Sequence, residues 1–189
     1  MSQKKDYLKI LKNGGVGVIS TDTLYGLVGS ALKPQIVERI YKIKDRKKSK
    51  PFIILISKIS DLKKFGVETD DRTKTIFKKY WPGKVSIIFP VSWTSDVRKL
   101  KYLHRGKKSL AFRLPAKKSL INLLEKTGPL VAPSANPEGK KPAAGIKEAK
   151  KYFGNQVDFY KSGGRAARNP SKIVSIEKGG ERVLRDLSR

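Results

Sequence analysis

Five short stretches of the chain carry side chains that could do chemistry. Between two apolar runs stand Ser20, Thr21, Asp22, Thr23, Leu24, Tyr25 and Gly26, a dense set of hydrogen-bonding groups closed by a glycine. Such a set suits a ligand contact, and equally a hairpin in which Asp and Thr bond their own backbone. Lys42, Lys44, Arg46, Lys47, Lys48 and Lys50 follow, with Asp45 as the one acid among them. Lys offers a point charge and Arg a planar fork, so a Lys-x-Arg pair on an extended loop could grip two phosphates of one nucleotide. A solvated basic loop is the plain alternative. Ala132-Pro133-Ser134-Ala135-Asn136 ends an apolar run in a Pro-braced turn that presents a hydroxyl and an amide. Loops at strand ends are where α/β proteins bind ligands, although an ordinary Asx or Ser turn reads the same way.

The remaining two stretches are Ser109 with Arg113, and Asn169-Pro170-Ser171. Ser109 and Arg113 are four residues apart, so strand alternation points both to one face. Arg113 lies between Phe112 and Leu114, where a charge must be paired within the protein or face a ligand. His104, in a basic stretch with no acidic or Ser partner spaced for a triad, is expected to be exposed. Neither Gly14-Gly15 nor Gly163-Gly164 matches G-x-x-x-x-G-K-[ST], and G-x-G-x-x-G is absent, so a nucleotide would be bound by other means.

Elements that could position these groups are visible in the apolar pattern. Tyr7, Leu8 and Leu11 mark an opening helix ended by Asn13-Gly14-Gly15. Strands are expected over residues 16–19 and near Leu27. Pro34 begins a helix in which Ile36, Val37, Ile40 and Ile43 recur up to Lys44. The continuous apolar run 52–56 reads as a strand covered on both faces and central in a sheet. Further helices are expected over 72–80, 119–126 and 146–152, and strands over 85–89, 110–114, 130–132 and 173–176. Residues 93–108 and 137–145 read as exposed loops. The alternation points to one layered α/β domain spanning residues 1–189.

Composition narrows the chemistry. The 189 residues include 43 Lys plus Arg against 16 Asp plus Glu, a formal charge of +27, which suggests an anionic partner such as nucleotide, nucleic acid or an acidic membrane surface. With no cysteine, disulfides, thiolate metal sites and Cys nucleophiles are excluded, and His104 is the one imidazole. Residues 1–12 mix Lys4, Lys5, Lys9 and Lys12 with isolated apolar residues, unlike the h-region of a signal peptide, and no apolar run suits a membrane span. A cytoplasmic protein is expected.

Taken in order, S-T-D-T-L-Y-G-L, K-D-R, W-P-G-K-V-S, S-L-A-F-R-L-P, A-P-S-A-N and N-P-S-K-I-V resemble the threonylcarbamoyl-AMP synthase family, also called the Sua5/YrdC family, in its short bacterial form. The resemblance implies a YrdC/RibB-like twisted, mostly mixed β-sheet flanked by helices, with a basic concave surface. It also implies joining of L-threonine, bicarbonate and ATP into threonylcarbamoyl-adenylate with release of pyrophosphate, for modification of adenosine 37 in certain tRNAs. Carried over by motif, Lys44, Arg46, Ser134 and Asn136 resemble the family's catalytic K-x-R and S-x-N tetrad. Lys44, Arg46, Lys48, Ser109, Asn136 and Arg185 correspond to ATP contacts, and Thr21, Tyr25, Arg113, Ala132, Ser134 and Ser171 to threonine contacts.

Mg2+ would be carried by the triphosphate, with no protein-bound metal site. tRNA or double-stranded RNA on the basic surface, and hand-off to the tRNA threonylcarbamoyl transferase, are the implied partners. The chain departs from the family pattern at Ser20, at Lys84-Val85-Ser86, at Pro137-Glu138, at Lys172 and at Leu55, which bears on substrate preference. A non-catalytic RNA-binding paralogue is the alternative that the charge supports. Carbamoyl transfer in hydrogenase maturation would need Cys-rich zinc fingers, which this chain lacks.

Overall fold

Asp6 accepts hydrogen bonds from the Leu8 and Lys9 amides and so caps the first helix, α1 (Tyr7–Lys12), in a computed structural model that describes residues 6–91, 94–164, 169–177 and 180–186. Lys4, Lys5 and Trp93, which opens the expected 93–108 loop, lie outside the described residues. Gly14, at φ +92°, turns the chain out of α1 into β1 (Gly17–Ser20), which pairs antiparallel with β2 (Tyr25–Ser30). Pro34 then starts α2 (Pro34–Lys44) as the sequence predicts, and Asp45 closes it in the left-handed conformation.

After β3 (Ile53–Leu55) and a 3-10 segment (Ile59–Phe65), Asp70 caps α3 (Asp71–Tyr80), which leads into β4 (Val85–Pro90). The expected 93–108 loop instead contains α4 (Ser95–Lys99) and α5 (Lys101–His104), with Val97 and Leu103 buried. Then come β5 (Ser109–Arg113), α6 (Lys118–Thr127), β6 (Leu130–Val131), α7 (Ile146–Phe153), β7 (Phe159–Lys161), β8 (Lys172–Glu177) and β9 (Gly180–Arg185). Strands β7 and β9 have no counterpart among the sequence expectations.

All nine strands join one mixed sheet in the order β7-β1-β2-β6-β3-β5-β4-β8-β9, with β3 at its centre as the apolar run 52–56 predicts. Alternate residues sort onto two faces. Val18, Leu27, Ile54, Ile87, Phe89, Phe112 and Val131 join the main core with Ile36, Val37 and Ile40 of α2, Ile76 and Phe77 of α3, and Ala149 and Phe153 of α7. Ile19, Val28, Leu55 and Leu130 point the other way and pack with Leu11 of α1 and Leu120, Leu123 and Leu124 of α6. Beyond Leu55 and Leu130 that second face carries Ile53, Ile88, Ala111 and Ile173, which form the floor of a cavity.

Gly29 lets α2 approach β2: a Cβ there would stand 2.5 Å from Ile36 Cγ2 and 3.0 Å from Ile40 Cδ1. Overpacking of this kind typically costs about 1–3 kcal/mol. Gly29→Ala is therefore expected to lower the unfolding free energy by about that amount in chemical denaturation, while far-ultraviolet circular dichroism keeps its native shape.

Candidate active site

The cavity encloses about 660 Å³ and is lined from widely separated parts of the chain by Thr21, Tyr25, Arg46, Ser109, Arg113, Ala132, Ser134, Ser171 and Arg185. These are nine of the twelve residues singled out by sequence. Ser109, Ala111 and Arg113 alternate along β5, so all three face the cavity while Leu110 and Phe112 face the core. Arg46, Lys107, Arg113 and Arg185 bring four cations to the wall, and no Asp or Glu is among the lining residues. Lys107, Phe52 and the prolines Pro133, Pro142 and Pro170 also line it, and of these Lys107, Phe52 and Pro142 were not among the candidate site residues or their motifs.

Arg113 meets both alternatives that its position left open. Its Nη1 bonds Asp22 Oδ1 in an ion pair whose side chains are 5% and 8% exposed, and it faces the cavity as well. Asp22 was visible only as one polar group in a cluster. Its Oδ2 is buried without a hydrogen-bond partner among the described residues, as is Oδ1 of Asn136. Thr21 shows the same double use. Its hydroxyl donates to the Leu24 carbonyl at 2.6 Å and accepts the Thr23 amide at 3.1 Å, so the turn is self-bonded and still lines the site. Tyr25 donates its hydroxyl to the Gly164 carbonyl and accepts the Gly163 amide at 3.2 Å, which ties the segment after β7 to β2.

Lys44 is the last residue of α2 and not part of an extended loop, a correction with a physical cause. Only 1% exposed, its ammonium donates to the carbonyls of Ser134 and Asn136, while its own carbonyl accepts the Glu138 amide at 2.8 Å. Burial, followed by the nearby Arg46 charge, lowers its pKa to about 7. Asn136 adds to the same turn by donating Nδ2 to the Pro137 and Lys140 carbonyls at 2.9 and 2.7 Å. Glu138, noted in the sequence as a departure, accepts from the Lys47 amide at 2.7 Å and pairs with Lys50. The S-x-N turn and the K-x-R segment are thus bonded to each other.

Lys44 and Asn136 stand behind the cavity wall and are not among its lining residues. Lys48 is not there either: its side chain is 67% exposed and its ammonium lies 3.3 Å from Glu38 of α2. At the far edge, Arg185 donates Nε and Nη2 to the Ser171 carbonyl at 2.9 and 2.7 Å, and the Ser171 hydroxyl bonds that of Ser86 at 2.9 Å. His104 overturns its expectation, since it is fully buried, and burial lowers its pKa. Basic neighbours in the sequence say nothing about the side of α5 on which the ring lies. Among the described residues no group of three or more His, Cys, Asp or Glu could hold a metal ion, and no helix is long and apolar enough to cross a membrane.

Two outcomes follow. Asp22→Asn keeps the shape but leaves Arg113 buried without a counter-charge, which should cost about 3–5 kcal/mol in denaturant unfolding. Because the folded pKa of Lys44 lies below that of an unfolded lysine, the unfolded chain binds more protons between the two values. Stability supplied by this group therefore rises as pH increases above about 7. The stability difference between wild type and Lys44→Met should tilt toward wild type by up to about 1.4 kcal/mol per pH unit above that point. Parallel pH curves would contradict it.

Comparison with known proteins adds an independent observation. The profile of the Sua5/YciO/YrdC family, described as telomere recombination, matches residues 9–186. The chain is 31% identical over 170 residues to a threonylcarbamoyl-AMP synthase of Marinobacter nauticus, covering 88% of this chain and 87% of that protein. It is 31% identical over 132 residues to the threonylcarbamoyl-AMP synthase of Bacillus subtilis, covering 69% of this chain and 37% of the relative. The solved structure of P. abyssi Sua5 complexed with L-threonine superposes with a TM-score of 0.84 at 25% identity, over 95% of this chain and 52% of that one. The chain thus spans well under half of the B. subtilis protein and about half of the P. abyssi chain.

Proposed function

The chain belongs to the Sua5/YciO/YrdC family, and on that premise we propose that it synthesises L-threonylcarbamoyl-adenylate from L-threonine, bicarbonate and ATP, for the threonylcarbamoyl modification of tRNA. One observation carries the reading: Arg46, Ser109, Arg113, Ser134, Ser171 and Arg185, drawn from five separate segments, line one cavity that no carboxylate lines among the described residues. Its volume of about 660 Å³ lies within the range usual for ligand pockets, roughly 300–1,000 Å³. The likeness to a Sua5 complexed with L-threonine supports the choice of amino acid.

In this reading the threonine amine condenses with bicarbonate, losing water. An oxygen of the resulting carbamate then bonds to the α-phosphorus as the bond to pyrophosphate breaks. Such a reaction needs two reactants aligned and charge neutralised more than it needs a protein nucleophile. Arg113 holds the threonine carboxylate through a forked contact, with Asp22 fixing the guanidinium from behind. Thr21, Tyr25, Ala132, Ser134 and Ser171 complete the amino-acid end.

Arg46, Ser109 and Arg185 take the nucleotide. Lys44 and Asn136 act through the turn that carries Ser134. Lys48 reaches the phosphates only by leaving Glu38. Mg2+ enters on the triphosphate, as is usual for an ion that keeps substrate phosphates as ligands. Residues 1–189 act as one YrdC-like domain in the cytoplasm. The +27 charge supports contact with tRNA or double-stranded RNA, and hand-off of the product to the tRNA threonylcarbamoyl transferase belongs to the same reading.

The test is pyrophosphate release with mass-spectrometric detection of the adenylate. Wild type should release pyrophosphate only when ATP, threonine and bicarbonate are all present, and Arg46→Ala should lower the rate by about a hundredfold or more. Equal release without threonine would sink the reading. If the chain were instead a non-catalytic RNA binder, Arg46→Ala would leave no turnover to lose and would only reduce RNA affinity and its salt slope by a small increment.

A further inference from the structure

Among the described residues Lys107 is the one cavity cation to which the mechanism above assigns nothing, and the turn that presents it is built from unusual parts. Helix α5 ends in Arg105, a non-glycine residue in the left-handed region at φ 52°, and Gly106 follows at φ 82°. A non-glycine residue there costs about 1–2 kcal/mol, so the surroundings must compensate. They do so through His104, fully buried, whose Nδ1 accepts the Gly106 amide at 3.1 Å while its carbonyl accepts the Lys107 amide at 2.8 Å. The Arg105 guanidinium lies 4.2 Å from the Tyr41 ring centroid and 2.7 Å from Glu38. On the other side of Lys107, the Lys108 carbonyl accepts the Val91 amide at 3.1 Å. Lys107 therefore has a fixed backbone and an exposed side chain.

The turn is also linked to Arg46. Tyr41, which carries Arg105, stacks on Phe52 at 4.0 Å, and Arg46 lies over the Phe52 ring at 5.5 Å. Sheet register shows which end of the cavity this is. Ile53 pairs with Ala111, so Phe52 stands beside Leu110, at the Ser109 end of β5. Ile87 pairs with Phe112, so Ser86 and its partner Ser171, which Arg185 holds, stand at the Arg113 end. Four residues of strand separate the ends by roughly 13 Å. The cavity thus has two cationic poles, Arg46 with Lys107 and Arg113 with Arg185.

We propose that Lys107 is a phosphate-binding residue which, with Arg46, takes the β- and γ-phosphates of the nucleotide and the departing pyrophosphate. The assignment rests on the nucleotide reading above and deepens it. A lysine is suited to this position, since a compact, solvated charge can follow a terminal phosphate as it leaves. The turn keeps Lys107 at the cavity wall, where no carboxylate among the described residues pairs with it. Neighbouring Lys108 is exposed but is not among the lining residues, which makes it an internal control for bulk charge.

The experiment compares Lys107→Ala, Lys107→Arg and Lys108→Ala in the full chain, using calorimetric binding of pyrophosphate and of AMP together with the KM values for ATP and threonine. Removing one charged hydrogen bond should weaken pyrophosphate binding and raise the KM for ATP about tenfold or more. AMP binding and the KM for threonine should stay within about twofold, and Lys107→Arg should recover most of the loss because the charge is restored. Lys108→Ala should match wild type. An equal small effect from both alanine variants, or an equal loss of AMP and pyrophosphate, overturns the assignment. Pyrophosphate binding that depends on Lys107 in a protein that makes no adenylate would keep this anion site and refute the synthase reading instead.

Discussion

A cation removed from water must be met by oxygen, and two such cations, Lys44 and Arg113, hold the site together. Lys44 is satisfied by carbonyls of Ser134 and Asn136, so the end of α2 and the turn after β6 have one relative position. Arg113 is satisfied by Asp22, which joins the end of β5 to the turn between β1 and β2. Breaking such a pair from one side leaves a buried charge alone, which is why its geometry is enforced. The segments that carry Thr21, Arg46, Arg113 and Ser134 are thereby fixed to one another before any ligand arrives.

The sheet supplies the other half of the design by being covered unequally. Helices α2, α3 and α7 pack on one face and share its main core, while α1 and α6 cover only part of the other. On the uncovered part the same alternation that sends Phe112 into the core sends Ser109 and Arg113 toward the cavity. Small and apolar floor residues such as Ala111 and Ile88 leave room there, and the cations Arg46 and Lys107 from loops and Arg113 and Arg185 from strand ends stand at the walls. A cavity lined by four cations follows without any glycine-rich phosphate loop.

Much of this was legible along the chain because it depends on local rules. Pro34 and the spacing of Ile36, Val37 and Ile40 define α2 down to Lys44, and the β-branched run at 52–56 marks the central strand. The identity of most cavity residues could also be read, since alternation along β5 and the motif order carry it. Strand β7 could not, because three residues become a strand only by pairing with β1. Edge strand β9 pairs with β8 alone and leaves Val183 and Leu184 exposed, so it lacks the apolar signature of a buried strand. The burial of His104 depends on how α5 packs against α2, which no neighbour in sequence reports.

By itself the sequence determined most of the element types, the family and the set of cations from which the site is drawn. Which cations of that set face the cavity was decided only in three dimensions. Lys44 is held by oxygens about ninety residues away and Lys48 lies beside Glu38, whereas Arg46 and Lys107 arrive together at one pole. The reason is electrostatic: the role of a charge depends on the nearest oxygen in space, and spacing along the chain does not contain that distance.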